Sequence, residues 1–473
     1  MRTTAGLVVV LLAGSSVSGQ FAFEVSEDGR AAADVSRVEQ ARGSEARGST
    51  LPFGLTPDYE VHLRRQIGGL AIADMNGDGL NDLVAVCYIS SSFPPYEDWH
   101  DMIFYNSPNG LGTTPGWLSD NETHTGDVQI GDINGDGLPD LVAVHGGSVR
   151  ADAVQVYFGA GNGPSTSPGY SSNIPGRAWG TSGAIVDIDL DGDLDLVTTN
   201  QAIAPDPYRP IMLFRNNGTG LGAAPDWESG ADEISNGVVT ADILGSDGLP
   251  EVITAKWVNF NSGVYENIGG TPDAFPIMAV ANDSADKGAA VGDINGDGIP
   301  EVAFGGDPMV VYSMVQGALV PLWTADPPFG GSQEIRMHDA DGDGDLDMAE
   351  VVFSDGKAHI YQNNNGVLDT QPTWTFDAPE VGTSIRFGDL NGDGRDDLAV
   401  GYSGDTCIRV FYAEAPPCPA DLTGDGILDL ADVQAFVAAF TSGNLAADLA
   451  EPFGVLDLAD VQAFAASFVA GCP

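Results

Sequence analysis

Positive charge is scarce in this chain. Its 473 residues include 18 Lys and Arg against 68 Asp and Glu, a formal net charge of −50. A nucleic-acid ligand needs cations to neutralise its phosphates, and an anionic bilayer needs them for attraction, so the composition argues against both partners. Histidine is rare too. The six residues, at 62, 100, 124, 145, 338 and 359, form no HExxH pair and no other zinc spacing. No Gly-x-Ser-x-Gly elbow, phosphate-binding loop or dinucleotide fingerprint stands in a strand–helix context. Beyond the first twenty residues no apolar run is long enough for membrane insertion.

The opening MRTTAGLVVVLLAGSSVSGQ reads as a secretory signal over residues 1–19. Arg2 supplies the positive end, residues 6–14 an apolar run, and Val17-Ser18-Gly19 a small-residue cleavage site. The expectation is a secreted protein, extracellular or at the cell surface. Residues 20–48, rich in Ala, Glu, Arg and Ser, read as a flexible lead-in. Only four cysteines occur, and an even number in an exported chain predicts two disulfides. Cys418 and Cys472 bracket the last module and are expected to close it. Cys87 and Cys407 follow the first and last acidic loops described next, so a Cys87–Cys407 bridge would tie the two ends of that region.

What the chain has in abundance is carboxylate on tight turns. A pattern close to Asp-x-Asn/Asp-Gly-Asp-Gly-x-x-Asp/Glu starts at Asp74, Asp132, Asp187, Asp242, Asp293, Asp339 and Asp389. Positions 1, 3 and 5 put oxygens on one side of the turn, and Gly at 6 lets the backbone double back. A carbonyl at 7 and a carboxylate at 9 complete the six or more oxygens that Ca²⁺ prefers; Mg²⁺ demands a stricter octahedron. The first loop offers Asp74, Asn76, Asp78, the Leu80 carbonyl and Asp82. The second offers Asp132, Asn134, Asp136, Leu138 and Asp140, the third Asp187, Asp189, Asp191, Asp193 and Asp195. The others offer Asp293, Asn295, Asp297, Ile299 and Glu301; Asp339, Asp341, Asp343, Asp345 and Asp347; and Asp389, Asn391, Asp393, Arg395 and Asp397, the fourth residue of each set acting through its carbonyl. The Asp242 loop departs, with Leu244 at position 3 and one extra residue, so weak or no metal is expected there. About six ions are expected, in a structural role. Without them neighbouring carboxylates repel by roughly 1 kcal/mol per pair at exposed sites.

Seven copies of one loop mean a repeated structural unit. Each copy is followed by an apolar strand such as Leu83-Val84-Ala85-Val86, then a second β-type strand such as Val154-Gln155-Val156-Tyr157-Phe158, then a Pro-x-aromatic element such as Pro115-Gly116-Trp117. That is about four short strands in roughly 50 residues, bounded by Gly, Asn and Pro, which is the arithmetic of a β-propeller blade. The fold expected for residues 49–414 is therefore mainly β, a seven-bladed propeller. Tyr59 stands in the phase of Trp117, Trp227 and Trp374, fifteen residues ahead of an acidic loop, and the last repeat lacks its outer element. The first strand should thus complete the last blade and remove an exposed edge. The fixed phase of the Trp residues points to packing between blades rather than to sugar stacking.

The segments DMNGDGLNDL (74–83), DINGDGLPDL (132–141), DIDLDGDLDL (187–196), DINGDGIPEV (293–302), DADGDGDLDM (339–348) and DLNGDGRDDL (389–398) resemble the FG-GAP, or integrin-α-type, propeller repeats. The resemblance spans about residues 50–413. It implies a propeller with one Ca²⁺ per intact loop, and seven repeats imply seven blades.

After a linker at 415–417, residues 418–473 contain a 28-residue duplication. LDLADVQAF at 428–436 recurs at 456–464. In the first copy Asp421, Thr423, Asp425, the Ile427 carbonyl, Asp429 and Asp432 form a half-EF-hand ligand set, and Leu430, Val433, Phe436, Val437 and Phe440 are expected to share one helical face. The module looks like a dockerin of the planctomycete type, which implies a small α-helical domain with one Ca²⁺ and a cohesin-like partner or surface attachment. Leu430-Ala431 and Leu458-Ala459 would read that partner. The second copy has Glu451-Pro452-Phe453-Gly454 where ligands would stand, and is expected to have lost its metal but kept its helix.

Two non-periodic insertions are the places to look for a ligand, since function concentrates on loops the scaffold does not need. One carries Tyr96, Trp99 and His100, the other Tyr208 and Arg209, and both should lie on the face opposite the acidic loops. The functional expectation is a calcium-binding module for protein or polysaccharide. The alternative is a lyase-type polysaccharide-degrading enzyme on the same scaffold.

Overall fold

The computed structural model describes residues 51–88, 99–122, 124–146, 152–174, 179–201, 211–230, 235–245, 247–256, 261–280, 288–326, 331–414, 418–423, 427–450 and 455–471, with two short strands nearer the start. Those strands, β1 (Glu24–Val25) and β2 (Ala31–Ala32), pair antiparallel within a first compact unit, residues 1–48. The expected signal segment lies outside the described residues. Everything that follows belongs to the second unit, residues 49–473.

The acidic loops separate the first and second strand of each repeat. After β3 (Tyr59–Val61), the first repeat gives β4 (Arg65–Ala73), β5 (Asp82–Cys87), β6 (His100–Phe104) and β7 (Trp117–Glu122). The second gives β8 (Thr125–Gly131), β9 (Asp140–His145), β10 (Val154–Tyr157) and β11 (Tyr170–Ser171). Next come β12 (Trp179–Val186), β13 (Asp195–Gln201), β14 (Met212–Phe214) and β15 (Trp227–Glu228), then β16 (Ser235–Ala241), β17 (Glu251–Lys256), β18 (Ser262–Tyr265) and β19 (Met278–Val280). They are followed by β20 (Ala289–Gly292), β21 (Glu301–Phe304), β22 (Val310–Val315) and β23 (Ala318–Thr324), and by β24 (Ser332–His338), β25 (Asp347–Val352), β26 (Lys357–Tyr361) and β27 (Trp374–Asp377). The last set is β28 (Val381–Gly388), β29 (Asp397–Gly404) and β30 (Ile408–Phe411).

Strands β8–β11, β12–β15, β16–β19, β20–β23 and β24–β27 form five separate four-stranded antiparallel sheets. One eight-stranded sheet holds the rest, with β4–β7 on one side and β28–β30 plus β3 on the other, joined where β29 meets β4. Each innermost strand lies against the next, from β4 through β8, β12, β16, β20 and β24 to β28, and β28 returns to β4. The arrangement is a β-propeller. As the sequence implied, β3 pairs with β30, Tyr59 opposite Val410 and Val61 opposite Ile408.

Packing explains the strand composition. Strands β5, β9, β17 and β25 are buried along their whole length because each sheet has a neighbour on both faces. That is why β5 and β9 read as continuous apolar runs, Leu83–Val86 and Leu141–Val144, rather than as alternation, while β17 and β25 bury Lys256 and Glu350 as well. Each buried Val or Leu contributes about 1.5–3 kcal/mol. At the rim, Trp117 meets Tyr157 edge-on at 5.5 Å, Trp323 meets Tyr361 at 5.1 Å and Trp374 meets Phe411 at 5.1 Å, each pair linking one sheet to the next. The Trp residues are thus packing elements.

An asparagine clamp repeats beside the loops. Asn216 Nδ2 donates to the carbonyl of Leu194 in its own loop and to that of Ile133 in the preceding one. Asn267 does the same with Pro250 and Ile188, and Asn363 with Leu346 and Ile294. Asn106 bonds Asn81 and Leu390, and so joins the first repeat to the last.

Six innermost strands also carry a bulge at one height, at Gly68, Gly126, Thr181, Asn236, Gln333 and Thr383. Glycine is required where sheets approach most closely. A Cβ on Gly126 would stand 2.6 Å from the Gly180 carbonyl oxygen.

Two expectations are corrected. Cys87 and Cys407 are buried thiols and are not bridged. Two strands, β4 and β29, stand between β5, which ends at Cys87, and β30, which follows Cys407, and backbone pairing already closes this junction. In the C-terminal module, α1 (Leu430–Ser442) and α2 (Leu458–Ala470) pack through Phe436 on Phe464, stacked at 4.2 Å. Leu430 and Val437 are not on that face. They are 67% and 52% exposed, because the short module can enclose only one narrow stripe per helix. Cys472 lies outside the described residues.

Asn106→Ala should lower the unfolding free energy by about 1–3 kcal/mol, since two buried carbonyls lose their donor. The same change at exposed Asn109 should stay within about 0.5 kcal/mol in denaturant titrations.

Candidate metal centres

The acidic loops are built as nested turns. In the first, Asp74 Oδ1 accepts from the Gly77 and Asp78 amides and Oδ2 from Gly79, while Asn76 Oδ1 accepts from Asp78 and Asp78 Oδ1 from Leu80. The Asp132 and Asp389 loops repeat this set, and the Asp293 and Asp339 loops repeat its central bonds. Gly77 and Gly79 take positive φ, as the sequence pattern requires. In these five loops the side chains at positions 1, 3 and 5 are therefore held from behind by backbone amides.

In two loops one oxygen each from positions 1, 3 and 9 lies within 4.8 Å of the others: Asp187, Asp189 and Asp195, and Asp339, Asp341 and Asp347. Such a spacing of hard oxygen donors fits a Ca²⁺ ion. In the third loop Arg215 is ion-paired with Asp189, and in the last Arg395 is ion-paired with Asp393, so a cation there competes with a guanidinium. The Asp242 loop departs as its sequence does. Its extra residue is spanned by Glu251, whose longer side chain accepts from both Ile243 and Leu244.

Position 9 has a second role that the ligand pattern hides. Asp82 accepts from Met75 N at 3.0 Å and Asn106 N at 2.7 Å, Asp140 from Ile133 and Gly159, Asp195 from Ile188 and Asn216, Asp347 from Ala340 and Asn363, and Asp397 from Leu390 and Ala413. Each carboxylate thus pins the start of its loop to the end of the third strand. All are buried. Burial pushes Asp82, Asp195 and Asp397 up to about 6 and Asp347 up to about 7, against the pull of those amides. Asp140, Glu251 and Glu301 are raised for the same reason. Each oxygen retains a lone pair, so this tethering leaves room for a cation.

In the C-terminal module Asp432 accepts from the Thr423 amide, the Thr423 hydroxyl and the Asp429 amide. Asp460 holds the Leu449, Ala450 and Asp457 amides in the same way. In the second copy Asp457 also accepts from the Ala459 amide, as Asp429 does from Ala431 in the first, so both helices start on the same capping box. Asp421 Oδ1 lies 3.2 Å from Thr423 Oγ1, whereas Asp425 lies outside the described residues.

At the strand ends opposite the loops, a cluster gathers around two of the residues singled out in sequence. Trp99 stacks on His124 at 5.6 Å, and His100 Nδ1 lies 2.5 Å from the Ser119 carbonyl oxygen. Beside them Thr125 donates to Asp101 Oδ2 at 2.9 Å and stands 3.3 Å from His145 Nδ1. Tyr96, Tyr208 and Arg209 lie outside the described residues. Sequence reading missed His124, Thr125 and His145. The available signal was a histidine closing the otherwise apolar run Leu141-Val142-Ala143-Val144-His145.

Loops of one geometry on successive sheets are what a repeat family would leave, and the FG-GAP-like repeat matches residues 74–143, 132–198 and 339–400. The chain carries FG-GAP-like repeats. Five of the acidic loops fall within those segments, while the Asp242 and Asp293 loops fall outside them. No curated protein matches the chain. Among solved structures it is similar to BBS1N in complex with ARL6DN, in crystals soaked with lead (TM-score 0.54) and with mercury (TM-score 0.53). Both are 13% identical and cover 78% of this chain and 98% of that one, a likeness that shows the fold alone.

Asp140→Ala should cost about 2–4 kcal/mol even in the presence of a chelator, because two buried amides lose a charged acceptor. Exposed Asp136→Ala should cost far less under chelation. Denaturant melts of the two variants in EDTA make the comparison.

Proposed function

We propose that this chain is a secreted, seven-bladed propeller that binds calcium at about six of its FG-GAP-like loops and serves as an interaction module. The eight-stranded sheet is read as two blades that share an edge, which with the five separate sheets makes seven. The observation that carries the calcium reading is the convergence of Asp187, Asp189 and Asp195, and of Asp339, Asp341 and Asp347, on turns already shaped by backbone. A bound Ca²⁺ neutralises these groups and cross-links the turn. The chain's own residues do the rest: position 9 anchors the loop, the asparagine clamp joins it to the preceding repeat, and the edge aromatics seal the rim.

The tail is read as a dockerin-like module with one Ca²⁺ at Asp421, Thr423, Asp425, Ile427, Asp429 and Asp432, and with a Cys418–Cys472 disulfide. Exposed Leu430 and Leu458, at 67% and 68%, support a docking role toward a cohesin-like protein or a cell-surface component. The ligand face is read as the end opposite the loops, for protein or polysaccharide. One observation favours the second reading, a lyase-type enzyme. Three of the chain's six histidines stand there, and one is oriented through Thr125 by Asp101. A base so oriented is a recurring element of acid–base sites.

EDTA should lower the melting temperature by at least 10 °C and Ca²⁺ should restore it; unchanged melting sinks the calcium reading. A glycan array probed with the full chain, with and without Ca²⁺, tests the binding role. Absorbance from unsaturated products in the same wells, lost in His145→Ala, would decide for the enzyme.

A further inference from the structure

Two of the acidic loops carry one and the same ligand set. Aspartate stands at positions 1, 3, 5, 7 and 9 both in the Asp187 loop and in the Asp339 loop, whereas position 3 is Asn or Leu in all the others. These are also the two loops in which oxygens from positions 1, 3 and 9 converge. Equal donors on equal turns predict equal affinity for an ion, since ligand charge and rigidity set it.

The neighbour of position 3 breaks that equality. In both repeats the residue just ahead of the clamp asparagine reaches it. In the Asp339 loop this is Gln362, whose Nε2 donates to Asp341 Oδ2 at 2.5 Å. In the Asp187 loop it is Arg215, whose Nη1 is ion-paired with Asp189 Oδ2. Strand register confirms that the two positions correspond: Phe214 stands opposite Leu196 and Tyr361 opposite Met348, each one residue earlier. A neutral amide and a permanent cation thus face the same point of two otherwise matching loops.

Arg215 is held there from a second side. Its Nη2 donates to the Gly270 carbonyl and, at 2.9 Å, to the Thr271 hydroxyl, in the turn between β18 and β19 of the next repeat. That turn is pressed against the loop, for a Cβ on Gly270 would stand 2.3 Å from the Asp189 Cβ. Asp189 Oδ1, the oxygen not given to Arg215, is shut off from solvent and has no hydrogen-bond partner. A carboxylate oxygen so placed suits a cation, yet the fixed guanidinium beside it repels that cation and offsets one of the charges that attract it.

We propose that Arg215 is a resident counter-cation that makes the Asp187 loop a low-affinity calcium site, filled and emptied at concentrations at which the Asp339 loop stays occupied. This role rests on the calcium reading of the loops. The difference in strength is set by the residue ahead of the clamp asparagine and not by the ligands themselves.

Equilibrium dialysis of the full chain against graded free Ca²⁺, read as ions bound per chain, tests this. Arg215→Gln copies the Asp339 repeat and should move one ion per chain to about tenfold lower free Ca²⁺. The reciprocal Gln362→Arg should move one ion to about tenfold higher free Ca²⁺. Arg215→Lys keeps the charge and should follow the wild type. Adding Asp187→Asn to Arg215→Gln should abolish the gain, which places the moved ion in the Asp187 loop. Either swap leaving the isotherm unchanged, Arg215→Lys shifting as Arg215→Gln does, or a gain that survives Asp187→Asn would overturn this role while calcium binding itself stands. A wild-type chain that takes up no Ca²⁺ would overturn the calcium reading and this role with it.

Discussion

The fold depends on one buried carboxylate per repeat. Asp82, Asp140, Asp195, Asp347 and Asp397 sit where an acidic turn meets the core, and each holds two backbone amides from segments far apart in sequence. Remove that grip and the exposed part of the loop has nothing to stand on. The loop geometry is a consequence of this anchoring: the inner carboxylate fixes where the turn begins and ends. Desolvation makes the arrangement costly, which is why these groups are raised toward neutral pH and why compensation by a cation suits them.

Around these anchors the repeats are joined by three devices at three radii. Bulged inner strands with glycine at the tightest approach bring the sheets together near the axis. Asparagine side chains bridge carbonyls of successive loops at mid-radius. Aromatic pairs such as Trp323 and Tyr361 seal the rim. The junction between the ends of the chain is held by the asparagine clamp, through which Asn106 reaches Leu390, and by two further contacts: β29 pairs with β4, and Trp374 donates to the Gly54 carbonyl. No covalent bridge is needed, and Cys87 and Cys407 serve as small buried apolar groups.

The polar groups are distributed by face. Turns at one end of the strands take the acidic loops. The opposite ends gather Trp99, His100, Asp101, His124 and His145 from separate strands. On the innermost strands Arg336 and Arg386 pair with Glu334. Such separation follows from antiparallel strands of similar length, which return every loop to one of two ends and leave the innermost edges facing each other.

The acidic loops, their spacing, the four-strand repeat and the N-terminal strand that completes the last sheet were all legible in the sequence. They were legible because each is local: a turn is specified by its own glycines and carboxylates, and a doubly buried strand by its own apolar run. The double duty of position 9, the clamp made by Asn106 and Asn216, the stripe on α1 that leaves Leu430 in solvent, and the bulges of the innermost strands were decided only by the tertiary structure. Each depends on which residues from distant repeats come to face one another, and a pattern with one period cannot carry that information. A bulge shifts register by one residue without altering composition, so it is invisible until the neighbouring strand is in place.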